Sequence, residues 1–215
     1  MVINLSLKSF DISDIYNITI LDQKNTSLSL GGYNFVKSGN YVYVANKNNN
    51  NLVVFDVSNP YKLSYVSQLA ITDVESTSVK DDYLFTGDAS GTIRVYDISD
   101  PLNLTLVSSV SHNTDRLHKQ WIYKNHLYIS NITQGEVTIF DISDPTNVTY
   151  VSSITTNVSS PRGIDFSDDK LYVVDYNTRY LSVFNISNPA SPTLISDIQL
   201  SGTPRFFDCR INGDY

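Results

Sequence analysis

Short apolar runs recur along the chain, each bounded by Asn, Asp, Gly or Lys. Runs such as LYVVD and TIFDI are apolar at successive positions, which is typical of strands that are packed on both faces. No window keeps the 3.6-residue period of an amphipathic helix, and the proline, asparagine and β-branched content opposes helices throughout. The pattern therefore predicts an all-β protein whose strands are covered on both sides.

One stretch of the sequence is repeated with few changes. The copies are VFDVSNPYKLSYVSQL from Val54, VYDISDPLNLTLVSSV from Val95, IFDISDPTNVTYVSSI from Ile139, VFNISNPASPTLISDI from Val183 and a degraded SFDISDIYNITILDQ from Ser9. Their equivalent acidic or amide residues are separated by 45, 41, 44 and 44 residues: Asp11, Asp56, Asp97, Asp141 and Asn185. Such periods are typical of propeller blades and of some helical repeats, and the β-forming residue types favour blades.

Each period contains four predicted strands. A strand such as YVYVAN or HLYISN leads through a polar hairpin into a second one such as GEVTIFDIS. The turn D-x-S-[D/N]-P and a further strand such as VTYVSSI follow, and an apolar patch such as GIDF precedes the next period. The sequence therefore predicts four-stranded antiparallel blades.

This order of strands and turns resembles the LVIVD-repeat family of β-propellers, and the likeness extends from Asn4 to Tyr215. The resemblance implies a single β-propeller domain over residues 1–215 and an extracellular or cell-surface location, because members are often secreted or displayed on bacterial and archaeal cells. It does not imply one function, since propellers carry both enzymes and binding modules. The first copy has Ile15 in place of proline and the fourth has Asn185 in place of aspartate, so looser turns are expected there.

The two ends of the chain predict half-blades. The N-terminal copy supplies only a third and a fourth strand, and GTPRFFDCRINGDY at the C-terminus matches a first strand. Four complete blades plus two half-blades fit either a five-blade ring or a fragment of a longer propeller that is truncated at both ends. We favour the fragment, because a closing strand that stops at its first residue protects a sheet edge poorly.

Composition narrows the range of partners. The formal net charge is −7, and no Lys/Arg-rich run is present, which argues against nucleic acid as a partner. No stretch approaches the ~20 apolar residues of a membrane span, and MVINLSLKSF predicts no signal peptide in this chain. Cys209 is the only cysteine and is expected to be a buried apolar side chain beside Phe206 and Phe207.

The recurring acidic residues are interpreted as structural. In D-x-S-[D/N]-P the Asp and Ser side chains can accept backbone N–H groups of the turn, and such a turn is needed in every blade. The residues that end the second strands are assigned to hairpins for the same reason: Asn46, Asp88, Asn131 and Asp175. Calcium at DDYLFTGD or DFSDD is a weaker alternative, because neither has the spacing of an EF-hand loop.

The positions at which the blades differ define a candidate site. Ten residues before the second-strand aromatic lie Tyr33, Glu75, His118 and Arg162, and Arg205 occupies the equivalent place in the C-terminal segment. All five are polar and begin a predicted first strand, which is innermost in a propeller. They are therefore expected to converge at one mouth of the central channel as a ligand-binding site.

Two classes of function remain open. No G-x-S-x-G, H-E-x-x-H or P-loop signature is present, which favours a non-catalytic interaction module that binds a protein or a glycan through its loops or the channel mouth. The alternative is a hydrolase or lyase with His118 or Glu75 as base and with Arg162 and Arg205 holding an anionic substrate. No cofactor and no metal are predicted for either.

Overall fold

The computed structural model describes residues 6–14, 16–25, 32–112, 116–155, 157–202, 205 and 207–212. Within them the strands are β1 Ser6–Asp11, β2 Thr19–Asn25, β3 Gly32–Ser38, β4 Tyr41–Asn46, β5 Asn51–Asp56, β6 Ser64–Ala70, β7 Val74–Lys80, β8 Tyr83–Asp88, β9 Thr92–Asp97, β10 Thr105–Ser111, β11 Leu117–Tyr123, β12 His126–Asn131, β13 Glu136–Asp141, β14 Thr149–Ile154, β15 Pro161–Ser167, β16 Lys170–Asp175, β17 Tyr180–Asn185 and β18 Thr193–Gln199. A single 3₁₀ turn, Lys47–Asn49, is the only helical element in the described part of the chain.

The strands form sheets in which neighbours along the chain are also neighbours in space. Strands β3 to β6, β7 to β10, β11 to β14 and β15 to β18 make four four-stranded sheets, and β1 and β2 make a two-stranded one. The pairs within β1–β6 and β11–β18 are antiparallel. The prediction of an all-β fold of four-stranded blades is confirmed, and each four-stranded sheet is called a blade below.

The chain divides into two compact units, each with its own apolar core. Unit 1 comprises Met1–Thr86 and Tyr96–Leu106, and its main core is built around Tyr43, Leu52 and Leu84. Unit 2 comprises Gly87–Val95 and Val107–Tyr215, and its core is built around Tyr128 and Phe184. Because both sheet faces supply core residues, successive positions are buried, as the unbroken apolar runs predict.

The repeated turns are held by carboxylate and amide side chains. In each copy the first Asx residue accepts the backbone N–H two residues on, at 2.7–2.9 Å. The Asx residue three positions later also accepts the N–H two residues on, at 2.9–3.2 Å. In three copies the serine hydroxyl also donates to the first carboxylate, from Ser58, Ser99 and Ser143; acceptance of a turn N–H by that hydroxyl stays a prediction. Asn185 accepts the N–H of Ser187 at 2.9 Å, and this turn keeps the geometry of the others despite the loss of the carboxylate.

These turns are expected to weaken in acid. Hydrogen bonds from Ser58, Ser99 and Ser143, first from the hydroxyl and then from the backbone N–H, hold the pKa of Asp56, Asp97 and Asp141 below the ordinary value.

A depressed folded-state pKa stabilises the protein above the unfolded-state value, and this stabilisation is lost as the pH falls through the folded value. The melting temperature should therefore drop below about pH 4. The double variant Asp97→Asn/Asp141→Asn keeps the amide acceptors and should show a smaller drop over that range. An identical acid profile in the variant would contradict the assignment.

The C-terminal segment differs from its prediction. Its described residues, 205 and 207–212, form no strand, whereas the match to GIDF predicted a first strand. The backbone N–H of Ile211 instead donates to Asp165 Oδ2 at 2.7 Å, and Lys119 Nζ donates to the carbonyl of Phe207 at 3.4 Å. The segment is thus fastened onto unit 2 by side chains of β11 and β15.

Cys209 lies within that segment and is partly buried. Its thiol contacts the carbonyl of Tyr172 at 3.8 Å, and burial raises its pKa to about 12. Phe207 is exposed, and Phe206 lies outside the described residues. A thiol with so high a pKa is protonated at neutral pH, as expected for an apolar packing residue rather than a nucleophile.

Candidate functional site

Three of the predicted site residues lie at irregularities of the strand register. The pairing of β3 with β4 skips Tyr33, that of β11 with β12 skips His118, and that of β15 with β16 skips Arg162. A bulge leaves one residue without a partner in the ladder and turns its side chain away from the regular alternation. A β-bulge therefore occurs at the equivalent position of three blades. The side chain of Tyr33 lies outside the described part of the structure.

His118 and Arg162 contact each other in unit 2. Arg162 Nη1 lies 3.2 Å from His118 Nε2. A guanidinium can only donate, so Nε2 is the acceptor in this contact. The contact fixes the orientation of the Arg162 side chain. Arg162 Nε is buried and has no hydrogen-bond partner among the described residues.

The ring of Tyr176 brings a second arginine close to Arg162. The guanidinium carbons of Arg162 and Arg205 lie 5.2 Å and 4.4 Å from the ring centroid of Tyr176. Both distances fall within the range of cation–π interactions, which hold a guanidinium over an aromatic ring without neutralising its charge. Phe207 also packs edge-on against this ring at 5.1 Å. Tyr176 thus holds two cations near one another.

A cavity of about 270 Å³ lies beside these residues and is lined by Tyr176, Asn177, Arg179 and Arg205. Arg179 donates from Nη1 to the carbonyl of Gly202. None of the guanidinium groups of Arg162, Arg179 and Arg205 forms an ion pair with a carboxylate in the part of the chain that the structure describes. The three arginines together with the cavity, here called the arginine cluster, therefore carry uncompensated positive charge in an acidic protein.

Asp175 directly precedes Tyr176, which lines the cavity of the arginine cluster, but the carboxylate of Asp175 is bonded to backbone N–H groups. Its Oδ1 accepts the N–H groups of Asn177 and Thr178 at 2.9 and 2.8 Å, and its Oδ2 accepts those of Ser159 and Ser160 at 2.7 and 2.6 Å. The side chain is buried. Asp175 thus shapes the hairpin that carries Tyr176 and Arg179, as the hairpin assignment predicts.

Other blades use the same position for the same purpose. Asp88 Oδ1 accepts the N–H groups of Ser90 and Thr92 at 2.8 and 3.0 Å, and Asn131 Oδ1 accepts those of Thr133 and Gln134 at 3.2 and 3.0 Å. Asp88 also forms an ion pair with Arg94 at 2.5 Å. Arg94 therefore forms an ion pair with the aspartate of its hairpin, whereas Arg179 forms no ion pair with a described carboxylate.

Glu75 lies in unit 1 and has a different environment. Its side chain is fully buried and forms an ion pair with Lys47 of the 3₁₀ turn. A buried, ion-paired carboxylate is poorly suited to act as a general base. The structure brings His118, Arg162 and Arg205 together in unit 2, and the convergence of all five predicted residues stays a prediction.

Sequence reasoning did not select Tyr176, Asn177 and Arg179. These residues belong to the hairpin between β16 and β17, where loop length and composition differ from blade to blade. The signal that could have identified them is DYNTRY itself, the one hairpin of this kind in the sequence with an aromatic residue and an arginine together. That difference lies in the hairpin and is not visible when the strands of the repeats are aligned.

A second cavity in unit 2, of about 220 Å³, differs from the arginine cluster in the pairing of its charged side chains. Its lining residues are Tyr123, Lys124, Asn125, His126, Tyr128, Asp169, Ile186, Ser187 and Pro189. Lys124 and Asp169 form an ion pair there; this bond raises the pKa of Lys124 and lowers that of Asp169. Its principal charges are compensated, unlike those of the arginine cluster.

Within the described residues, no helix has the length and apolarity that crossing a membrane requires.

The LVIVD repeat model matches residues 34–70, 72–112, 119–156 and 162–199. No functionally curated protein matches the chain.

Several solved structures are similar in fold. A protein from Lactobacillus plantarum has a TM-score of 0.77 at 16% identity, over 94% of this chain and 67% of that one. A candidate 6-phosphogluconolactonase from Bacteroides fragilis has a TM-score of 0.74 at 15% identity, over 91% and 65% of the two chains. The computationally designed Ika8 protein has a TM-score of 0.72 at 14% identity, over 98% and 61%. The chain thus spans roughly two thirds or less of these structures' lengths.

Proposed function

Because the chain belongs to the LVIVD repeat family, we propose that it is a non-catalytic binding module whose ligand, a protein or a glycan, carries an anionic group. The repeat β-propeller scaffold follows from the family and the fold. The binding role is the proposal, and one observation carries it: the arginine cluster holds three guanidinium groups without a carboxylate partner among the described residues.

Charge and geometry both support an anionic ligand. Carboxylate, sulfate and phosphate groups are the natural partners of guanidinium, which offers two parallel donors to such oxygens. The buried Nε of Arg162 is a donor that a ligand oxygen could satisfy, and His118 holds that side chain in place.

The site suits recognition better than catalysis. His118 Nε2 accepts from Arg162, and Glu75 is ion-paired with Lys47, so neither candidate base is available in this arrangement. An extracellular or cell-surface location is part of the proposal and rests on the family resemblance. Fractionation of the cells that produce the protein, with protease accessibility as the measurement, tests that part separately.

Removal of Arg162 or Arg205 is expected to weaken binding strongly. A charge-assisted hydrogen bond contributes about 1.5–3 kcal/mol, so Arg162→Ala and Arg205→Ala should each reduce affinity by about ten- to hundredfold. The assay is a thermal-shift and calorimetric series with glucuronate, N-acetylneuraminate, sulfated disaccharides and a polyglutamate peptide.

Arg210→Ala is the matched control. Arg210 lies in the same segment as Arg205, but it is already paired with Asp208 at 3.1 Å. Its loss should leave the affinity unchanged. A probe that binds the Arg162→Ala and Arg205→Ala proteins as tightly as the unaltered chain would place recognition elsewhere and overturn the proposal.

A hydrolase or lyase acting on an anionic substrate remains the second candidate. Its support is the arginine cluster, which could hold a substrate phosphate, together with the name of the similar Bacteroides fragilis protein. Hydrolysis of 6-phosphogluconolactone above the spontaneous rate, abolished in Arg162→Ala and retained in Arg210→Ala, would favour the enzyme over the binding module.

A further inference from the structure

A buried tyrosine at the second cavity of unit 2 lacks a hydrogen-bond partner. Tyr128 lines this cavity of about 220 Å³ and is 1% accessible, and its hydroxyl forms no hydrogen bond with any described residue. Burial raises the pKa of Tyr128 well above the ordinary value of a phenol, so the hydroxyl keeps its proton and can both donate and accept. Buried polar groups are normally hydrogen-bonded, and the cavity offers room for a partner.

The turn between β15 and β16 brings a carboxylate to the same cavity. Asp169 Oδ1 accepts from Lys124 Nζ and, at 3.3 Å, from the hydroxyl of Tyr123, and the backbone N–H of Asp169 donates to that hydroxyl at 3.1 Å. The carbonyl of Asp169 accepts the N–H of Ile186 at 2.8 Å. Oδ2 accepts no hydrogen bond from a described residue, and the side chain is 39% accessible. The carboxylate is therefore fixed in position and keeps one oxygen for a ligand.

The side chains around this carboxylate are packed and balanced in charge. Tyr123 stacks on Phe166, with ring centroids 4.8 Å apart and an angle of 7° between the ring planes. Lys124 Nζ lies 5.3 Å from the centroid of the Tyr123 ring and also forms the ion pair with Asp169. Because this positive charge and this negative charge already neutralise each other, a charged group on a ligand would find no unopposed partner. The cavity is therefore complementary to an uncharged ligand.

The polar groups of the cavity differ in what they can do. Asp169 Oδ2 only accepts, the Lys124 ammonium, which is 61% accessible, only donates, and the Tyr128 hydroxyl does both. An alcohol group suits all three, because it donates and accepts at the same atom. Ile186 and Pro189 also line the cavity, and the C–H groups of a sugar can lie against their apolar atoms. The volume is below the ~300 Å³ at which drug-sized ligand pockets begin, so it suits a single ring.

The equivalent place in unit 1 has the tyrosine without the ion pair. Tyr43 is the counterpart of Tyr128; it is also 1% accessible and forms no hydrogen bond through its hydroxyl with a described residue. The turn that precedes its strand has Ser38 and Gly39 where unit 2 has the tyrosine and the lysine that hold the carboxylate. The buried tyrosine therefore belongs to the repeat, whereas the fixed carboxylate and the ammonium group belong to the cavity in unit 2.

We propose that this cavity binds one uncharged hexose ring, either as a free sugar or as a residue of a glycan. Tyr128 and Asp169 form hydrogen bonds with hydroxyl groups of the ring, and Lys124 holds the carboxylate in place. The site shares no lining residue with the cavity of the arginine cluster and needs no anionic group on its ligand. A single small ring makes few contacts, so a Kd of about 1 mM is expected.

An NMR titration of the ¹⁵N-labelled full chain with D-glucose, D-galactose and D-mannose tests the proposal. At least one sugar should shift the backbone amide signals of Asn125 and Asp169. Those of Asn40 and Asp82, which hold the equivalent turn positions in unit 1, should stay in place. Cellobiose, lactose and mannobiose distinguish the two sources, because tighter binding of the disaccharide indicates a glycan and equal affinity indicates a free sugar. If none of these sugars shifts Asn125 and Asp169, the proposal is overturned.

Tyr128→Phe removes only the hydroxyl and should weaken sugar binding about two- to tenfold, the contribution of one neutral hydrogen bond. Its melting temperature should not fall, since the hydroxyl has no partner among the described residues. Tyr43→Phe is the matched control, because it makes the same change at the equivalent position of unit 1, and it should bind like the unaltered chain. Unchanged affinity in Tyr128→Phe, or an equal loss in both variants, contradicts the assignment. The titration of the unaltered chain decides the outcome even if a variant fails to fold.

Discussion

Replacement of Asp175 by alanine is expected to lower the free energy of unfolding by about 3–4 kcal/mol, since four backbone hydrogen bonds of roughly 1 kcal/mol each are lost. The carboxylate is buried and accepts N–H groups from Ser159, Ser160, Asn177 and Thr178. Without it these donors have no acceptor of equal geometry, and a buried unsatisfied donor is costly. Urea denaturation followed by fluorescence measures the change.

Asp175→Asn provides a graded control. One amide oxygen can still accept two N–H groups, as Asn131 does at the equivalent position. The amide nitrogen would face the other two donors, so the loss should be about half of that in Asp175→Ala. Equal destabilisation by the two substitutions would mean that charge, and not the number of accepted hydrogen bonds, determines the role of Asp175.

The repeats explain why the blades could be predicted from the sequence. Strand content, the four-strand period and the hairpin role of Asp175 follow from residue types that recur in every copy, so each position is in effect observed several times. The contact between His118 and Arg162 is consistent with the same alignment, because both residues lie ten positions before the second-strand aromatic of successive blades.

The remaining features depend on contacts that occur once. Tyr176 and Arg179 are side chains without a counterpart in the equivalent hairpins of the other blades, and Lys47 reaches Glu75 across 28 residues of sequence. The C-terminal segment resembles a first strand, but its backbone is bound by the side chains of Asp165 and Lys119. Side-chain contacts of this kind leave no periodic signal, so alignment of the repeats to each other could not reveal them.

Gly163→Ala is expected to detach the C-terminal segment from unit 2. A Cβ at this position would lie 2.5 Å from the Cα of Asp208 and 2.9 Å from its carbonyl carbon. Contacts below 3.0 Å with backbone atoms cannot be relieved by rotating a side chain, so the segment itself has to move. Overpacking of this kind costs about 1–3 kcal/mol.

Displacement of the segment would carry Arg205 away from Tyr176, and it would break the bonds from Ile211 to Asp165 and from Lys119 to Phe207. Trypsin should therefore cleave after Arg205 and Arg210 at least tenfold faster in Gly163→Ala than in the unaltered chain, since a released segment enters the protease site more readily. Mass spectrometry of the digests measures both rates without any ligand. Ser167→Ala, which adds no atom on the same strand, is the control and should leave them unchanged. Cleavage of Gly163→Ala at the unaltered rate would mean that the strand yields instead of the segment, and that Arg205 keeps its place beside Tyr176.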